Sequence, residues 1–148
     1  MSPLFGNRED KAAEEAAAAA ALTAEVDRLD ALPLHQLAVE VMTKGFSPGA
    51  PGAAETVTVG GPNVDAGTTV GWIATELAPG GSTAGADEQL RLRLFRLVAE
   101  ALQELEHASL IRAQLHSAMG TLDYATTRRG RAALEAGAVD RVLAGDDL

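Results

Sequence analysis

Seven of the ten arginines in this 148-residue chain lie between residues 87 and 131, and they are the side chains best equipped for chemistry. A guanidinium stays charged at any working pH and presents a planar fork of donors that suits phosphate or a guanine edge. Arg91, Arg93 and Arg96 form one group, and Arg128, Arg129 and Arg131 another. At about 100° per residue on a helix, Arg93 and Arg96 share a side while Arg91 lies toward another flank. The competing reading is that these are solvated arginines balancing nearby acids. His35, His107 and His116 form no helical i, i+4 pair and there is no Cys, so no zinc site and no cofactor are expected. Gly61–Thr69 is similar to a phosphate loop but lacks the lysine that would reach the phosphates, and reads as a turn and helix cap. No Ser-His-acid order or paired-carboxylate spacing stands out among 21 acidic residues, so no catalytic residues are expected and the chain does not read as an enzyme.

The net charge of −9 works against an anionic partner, because phosphate contacts need a basic face. Its distribution is uneven. Residues 1–31 carry −4, residues 32–86 carry −3, residues 87–131 carry +1 and residues 132–148 carry −3. Hydrophobic residues make up 47% and aromatics 3%, so the core must be built from Leu, Val and Ala. The absence of Cys fits a reducing, cytoplasmic setting. No apolar run approaches the roughly 20 residues that span a bilayer. The Ala16–Ala24 stretch, preceded by acids, does not read as a signal peptide.

Three units follow from composition: an Ala-rich helical segment over 1–31, a domain over 32–143 and a tail at 144–148. Residues 1–8 read as a frayed start, with helix from Glu9 to about Asp30 carrying a narrow Leu22, Val26, Leu29 stripe. That stripe suits docking on the domain or pairing with a second copy. Pro33 fits the first turn of a helix with Leu34, Leu37, Ala38, Val41 and Met42 on its buried face and Gly45 as its stop. Residues 46–54 read as a loop, Glu55–Val59 as a strand, and 60–67 as a turn. Thr68 or Thr69 caps a helix whose face is Val70, Ile73, Ala74 and Leu77, ended by Pro79. Trp72, the only Trp, is expected to anchor the core edge. Residues 80–86 read as a flexible connection. Asp87 caps the longest helix, with Leu90, Leu94, Leu97, Val98, Ala101, Leu102 and Leu105 in helical period. Residues 110–116 and 121–126 flank a hairpin tip at Met119-Gly120. Thr127 caps a last helix running to about Leu143, with Gly137 as its weak point.

The order helix, strand, helix, helix, hairpin, helix, together with two local patterns, resembles the winged helix-turn-helix superfamily, especially bacterial regulators of the MarR and PadR kinds. The resemblance covers residues 33–143. In such domains the third helix ends in a pattern like V-x-x-A-L-x-x-L-E-x-x-G-L-I, matched by Val98, Ala101, Leu102, Leu105, Glu106, Leu110 and Ile111. Ser109 stands where Gly is usual, at a position that ordinarily needs positive φ. The wing closes with Y-x-x-T-x-x-G-R-x-x-L, matched by Tyr124, Thr127, Gly130, Arg131 and Leu134.

The resemblance implies a mainly α fold with a small β-hairpin sheet and an N-terminal Ala-rich helix. It implies a DNA-binding transcriptional regulator, acting as a homodimer on double-stranded DNA. The helix at 87–108 would enter the major groove through Arg91, Arg93 and Arg96, and Arg128 and Arg129 would reach the backbone. Arg131 would pair inside the domain. The tip, His116-Ser117-Ala118-Met119-Gly120, lacks the basic residue usual in a minor-groove wing. A different class of function fits the same fold: an interaction module that binds protein, not DNA, through the acidic body or the N-terminal helix. Ligand sensing between that helix and the domain has no particular residues behind it.

Overall fold

The computed structural model describes residues 3–48, 56–57, 64–65, 69–116 and 121–148. Among these the chain is mostly helical with two small antiparallel two-stranded sheets. The elements in order are α1 (Pro3–Asp30), α2 (Leu34–Phe46), β1 (Thr56–Val57), β2 (Val64–Asp65), α3 (Val70–Leu77), α4 (Glu88–His107), β3 (Ile111–His116), β4 (Thr121–Thr126), α5 (Arg128–Glu135) and α6 (Val139–Leu143). The mainly α, α+β expectation holds. No helix among the described residues is long and apolar enough to cross a membrane.

α1 begins at Pro3, earlier than the expected frayed start allowed. Proline is at home in a first turn because its missing N–H would be unpaired there anyway. Over 28 residues the helix spans roughly 42 Å. Its apolar docking is confined to the last third, although the Glu15 backbone also lies close to Gly85. The side chains of Arg8–Ala18 are exposed, whereas Leu22, Val26 and Leu29 are buried in the chain's own core. Their burial contributes roughly 5–9 kcal/mol, an upper figure because unfolded chains already bury part of their apolar surface. The stripe that suggested pairing with a second copy is therefore consumed within one molecule.

The residues beside that stripe strap α1 to two neighbours. One position before Val26 and Leu29 come Glu25 and Arg28; one position after come Asp27 and Asp30, on the opposite flank. Arg28 donates to Glu25 at 2.6 Å and to Glu40 of α2 at 2.7 and 2.8 Å. On the other flank, Arg93 of α4 donates to Asp27 at 2.7 Å and Asp30 at 2.8 Å.

α2 buries Leu37, Ala38, Val41, Met42 and Phe46, but Leu34, expected on that face, is exposed where the helix starts after Pro33. Gly45 does not end the helix, which continues to Phe46. It is a crossing point: a Cβ there would sit 3.3 Å from Ile73 Cγ1, so its bare Cα lets α2 lie close on α3. β1 pairs with β2 in the register Thr56↔Asp65 and Val57↔Val64. The predicted strand is thus seen at Thr56–Val57, its flanking residues lying outside the described set, and Val64–Asp65, expected in a turn, is a strand. Thr69 caps α3 by accepting from the Trp72 N–H. Residues 80–86 do not form an open spacer. Pro79 and Gly80 make a tight turn, with Gly80 at φ +72° and Gly81 N–H donating to the Ala78 carbonyl at 3.0 Å, Ala84 N–H donates to Ser82 Oγ at 3.1 Å, and Ala86 is buried.

α4 is the central element. Asp87 caps it, accepting from the Leu90 N–H at 2.7 Å, and Leu94, Leu97, Val98, Ala101, Leu102 and Leu105 are buried along it. It ends in a Schellman motif, with Ser109 N–H on the Glu106 carbonyl and Leu110 N–H on the Leu105 carbonyl. Ser109 takes φ +61°, so the left-handed residue expected here is present, built from serine instead of glycine. Leu105 and Leu110, the apolar pair such a motif brings together, are both fully buried.

β3 and β4 pair from Ile111↔Thr126 to His116↔Thr121, as the sequence pattern predicts; the tip at 117–120 lies outside the described residues. Thr127 then joins three elements. Its hydroxyl accepts from Gly130 N–H at 2.9 Å and donates to the Ser109 carbonyl at 2.6 Å, and its own N–H donates to Leu110 O. The expected last helix is two helices. Gly137, at φ +59°, closes α5 in a second Schellman turn, Ala138 N–H reaching the Ala133 carbonyl at 2.8 Å. That turn redirects the chain so that Val139 and Val142 of α6 enter the core.

Candidate nucleic-acid interface

The side of α4 facing away from the core carries Gln89, Leu92, Arg96, Ala99 and Gln103, all exposed. Asp87 and the buried leucines fix this orientation, so the three arginines of α4 meet different surroundings. Arg91 turns back along the helix start and donates to the Ala86 carbonyl at 3.1 Å. Arg93 is held in a fork between Asp27 and Asp30, and the hydrogen bonds it donates to these carboxylates, Asp30 foremost, raise its pKa. Arg96 is exposed and has no hydrogen-bond or ion-pair partner among the described residues.

Two clefts run beside these side chains where α1 crosses α4. The larger, about 550 Å³, is lined by Thr23, Asp87, Gln89, Leu90, Leu92, Arg93 and Arg96. The smaller, about 250 Å³, is lined by Asp30, Arg93, Arg96, Leu97 and Glu100. Arg93 and Arg96 border both, as their shared side on the helix predicts, and Arg91 borders neither. Leu92, half exposed, gives the larger cleft an apolar wall.

Arg128, Arg129 and Arg131 are all exposed on α5. Arg129 comes within 4.0 Å of Asp147, itself almost fully exposed, a pair of little energetic weight. Arg131, expected to pair inside the domain, has no partner among the described residues. Because Thr127 bonds to Ser109 and Leu110, α5 starts at the C-terminal end of α4, whereas Arg91, Arg93 and Arg96 lie near its N-terminal end. About 20 Å of helix separates the two groups at 1.5 Å per residue. The structure therefore brings Arg93 and Arg96 together but places Arg128 and Arg129 at a second, distant position.

Asp27 and Asp30 are the residues of this region that sequence reasoning missed. Their signal was present: acids spaced by three, each one position after a member of the buried stripe. Trp72, expected at the core edge, is 62% exposed on the first turn of α3. It projects from the opposite side of the helix to Ile73 and Ala74, which are fully buried. No group of His, Asp or Glu side chains among the described residues could hold a metal ion. No protein-family model, curated protein or solved structure matches the chain.

Proposed function

We propose that residues 32–143 form a winged-helix domain and that the chain is a cytoplasmic, homodimeric regulator of transcription that binds double-stranded DNA. In this reading α3 and α4 form the helix-turn-helix, α4 enters the major groove, and the β3–β4 hairpin is the wing. The observation that carries the reading is Arg96, a guanidinium with no partner among the described residues, on the outward face of a helix whose opposite face is locked into the core. Gln89 and Gln103 on the same face add amides suited to adenine edges. Arg128 and Arg129 supply phosphate contacts beyond the other end of α4. Two copies would present two such helices to a pseudo-palindromic site.

Arg96→Ala leaves the buried face untouched, so it should keep the fold and weaken binding. A base-reading arginine contributes about 1–3 kcal/mol, roughly tenfold or more in affinity. Fluorescence anisotropy with a labelled DNA duplex measures this. An Arg96→Ala protein that binds as tightly as the parent removes α4 from the interface.

A second reading is favoured by Trp72. Exposed tryptophan is enriched at protein interfaces, and the net charge of −9 opposes DNA. In this reading the domain binds protein through α3. Trp72→Ala separates the two readings: it should leave DNA affinity unchanged in the first, while the second predicts no DNA binding by either protein.

A further inference from the structure

We infer that Asp27 and Asp30 of α1 are a built-in competitor for the DNA phosphates that Arg93 would otherwise contact, so that α1 holds α4 in a low-affinity state. This rests on the DNA-binding reading of α4. Each carboxylate takes one terminal nitrogen of the Arg93 guanidinium, at 2.7 and 2.8 Å, as two phosphate oxygens would. The acids also outnumber the bases at this point. Asp27, Asp30, Asp87 and Glu100 border Arg93 and Arg96, giving a local charge of −2 where an approaching phosphate needs a positive one.

The contact is built to exchange without unfolding. α1 itself stays in place, because Leu22, Val26 and Leu29 are buried and Arg28 ties its other flank to Glu40. The Arg93 pairs are different in kind. Arg93 is 40% exposed, Asp27 59% and Asp30 50%, so water reaches all three and the pairs are held weakly. A duplex seated in the groove by Arg96 can take Arg93 from the aspartates by side-chain rotation alone. A duplex that does not seat there meets the carboxylates instead. The device thus suppresses non-specific binding more than specific binding.

The test is the affinity of the full chain for a labelled mixed-sequence duplex at about 50 mM salt, where phosphate contacts are strong. Asp27→Asn with Asp30→Asn raises the local charge from −2 to zero and should tighten binding about three- to tenfold. The salt dependence should steepen by about one phosphate contact. Glu9→Gln with Asp10→Asn, on the exposed end of α1, removes the same overall charge and should tighten binding less. Adding Arg93→Ala to the Asp27, Asp30 pair should abolish the difference. If the gain equals that of the Glu9, Asp10 pair, or survives Arg93→Ala, the competitor role is refuted while DNA binding by α4 stands. If no protein in the set binds the duplex, the DNA reading falls and the inference with it.

Discussion

Replacing Gly130 with alanine tests how the hairpin, α5 and the end of α4 are joined. A Cβ at Gly130 would fall inside the Leu110 carbonyl oxygen, 2.8 Å from Thr126 Cγ2 and 3.0 Å from the Leu110 carbonyl carbon. Two of these atoms are backbone, and Leu110 O is already bonded to the Thr127 N–H, so they cannot swing aside like the end of a flexible side chain. The strain must be relieved by moving α5 off the start of β3. That movement opens the Thr127 cap, which is centred on the Gly130 N–H. Overpacking costs about 1–3 kcal/mol and a lost threonine cap about 1 kcal/mol, so the expected loss is roughly 2–4 kcal/mol. For a domain whose total stability is typically about 5–15 kcal/mol, this is a large fraction. Gly137→Ala is the comparison. It meets open space but must hold φ +59°, and should cost only about 1–2 kcal/mol. Urea denaturation followed by circular dichroism gives both values. A Gly130→Ala protein within about 1 kcal/mol of the parent would show that the close approach of α5 to Leu110 is not a packing constraint.

Two further outcomes follow from the same geometry. Ser109→Gly relieves the left-handed strain at the end of α4, offset in part by the freer unfolded chain, and should raise stability by roughly 0.5–1 kcal/mol in urea. An unchanged or lower midpoint would mean that Ser109 contributes more than its backbone conformation. Glu25 and Glu40 have their carboxyls lowered below the usual range chiefly by hydrogen bonds from Arg28. Stabilisation from a lowered carboxyl is present above its unfolded value and lost as pH falls through the folded one. The urea midpoint should therefore drop below about pH 4.5, and Arg28→Gln should flatten that limb; an identical acid limb in both proteins contradicts the assignment.

The parts of the fold legible in the sequence were those written in short-range chemistry. Thr69, Asp87 and Thr127 each place a side-chain oxygen on an N–H three residues ahead, and all three cap as their residue types predict. The hairpin strands, on either side of a short tip, were legible for a similarly local reason. What was not legible depends on contacts distant in sequence. Whether Gly45 ends a helix or lets another lie against it depends on Ile73, and no local pattern announces that neighbour. Gly137 was visible as a weak point, but the sequence did not say that its turn would send Val139 and Val142 back into the core. Arg93 was visible as a cation, yet its partners lie on α1, more than 60 residues away. Helical spacing set Arg91 apart from Arg93 and Arg96, but it did not show that Arg91 is tied to its own backbone, that Arg93 is paired, and that Arg96 has no partner among the described residues.

The proposed contact of α4 with DNA is tested by exposing the unmodified protein to a pool of genomic fragments at about 50 mM salt and again at about 200 mM. If α4 binds DNA, particular fragments are retained at the lower salt and progressively released as salt rises, with little retention of the bulk pool. If no fragment is retained at the lower salt, where phosphate contacts are strongest, α4 is not a DNA-binding helix.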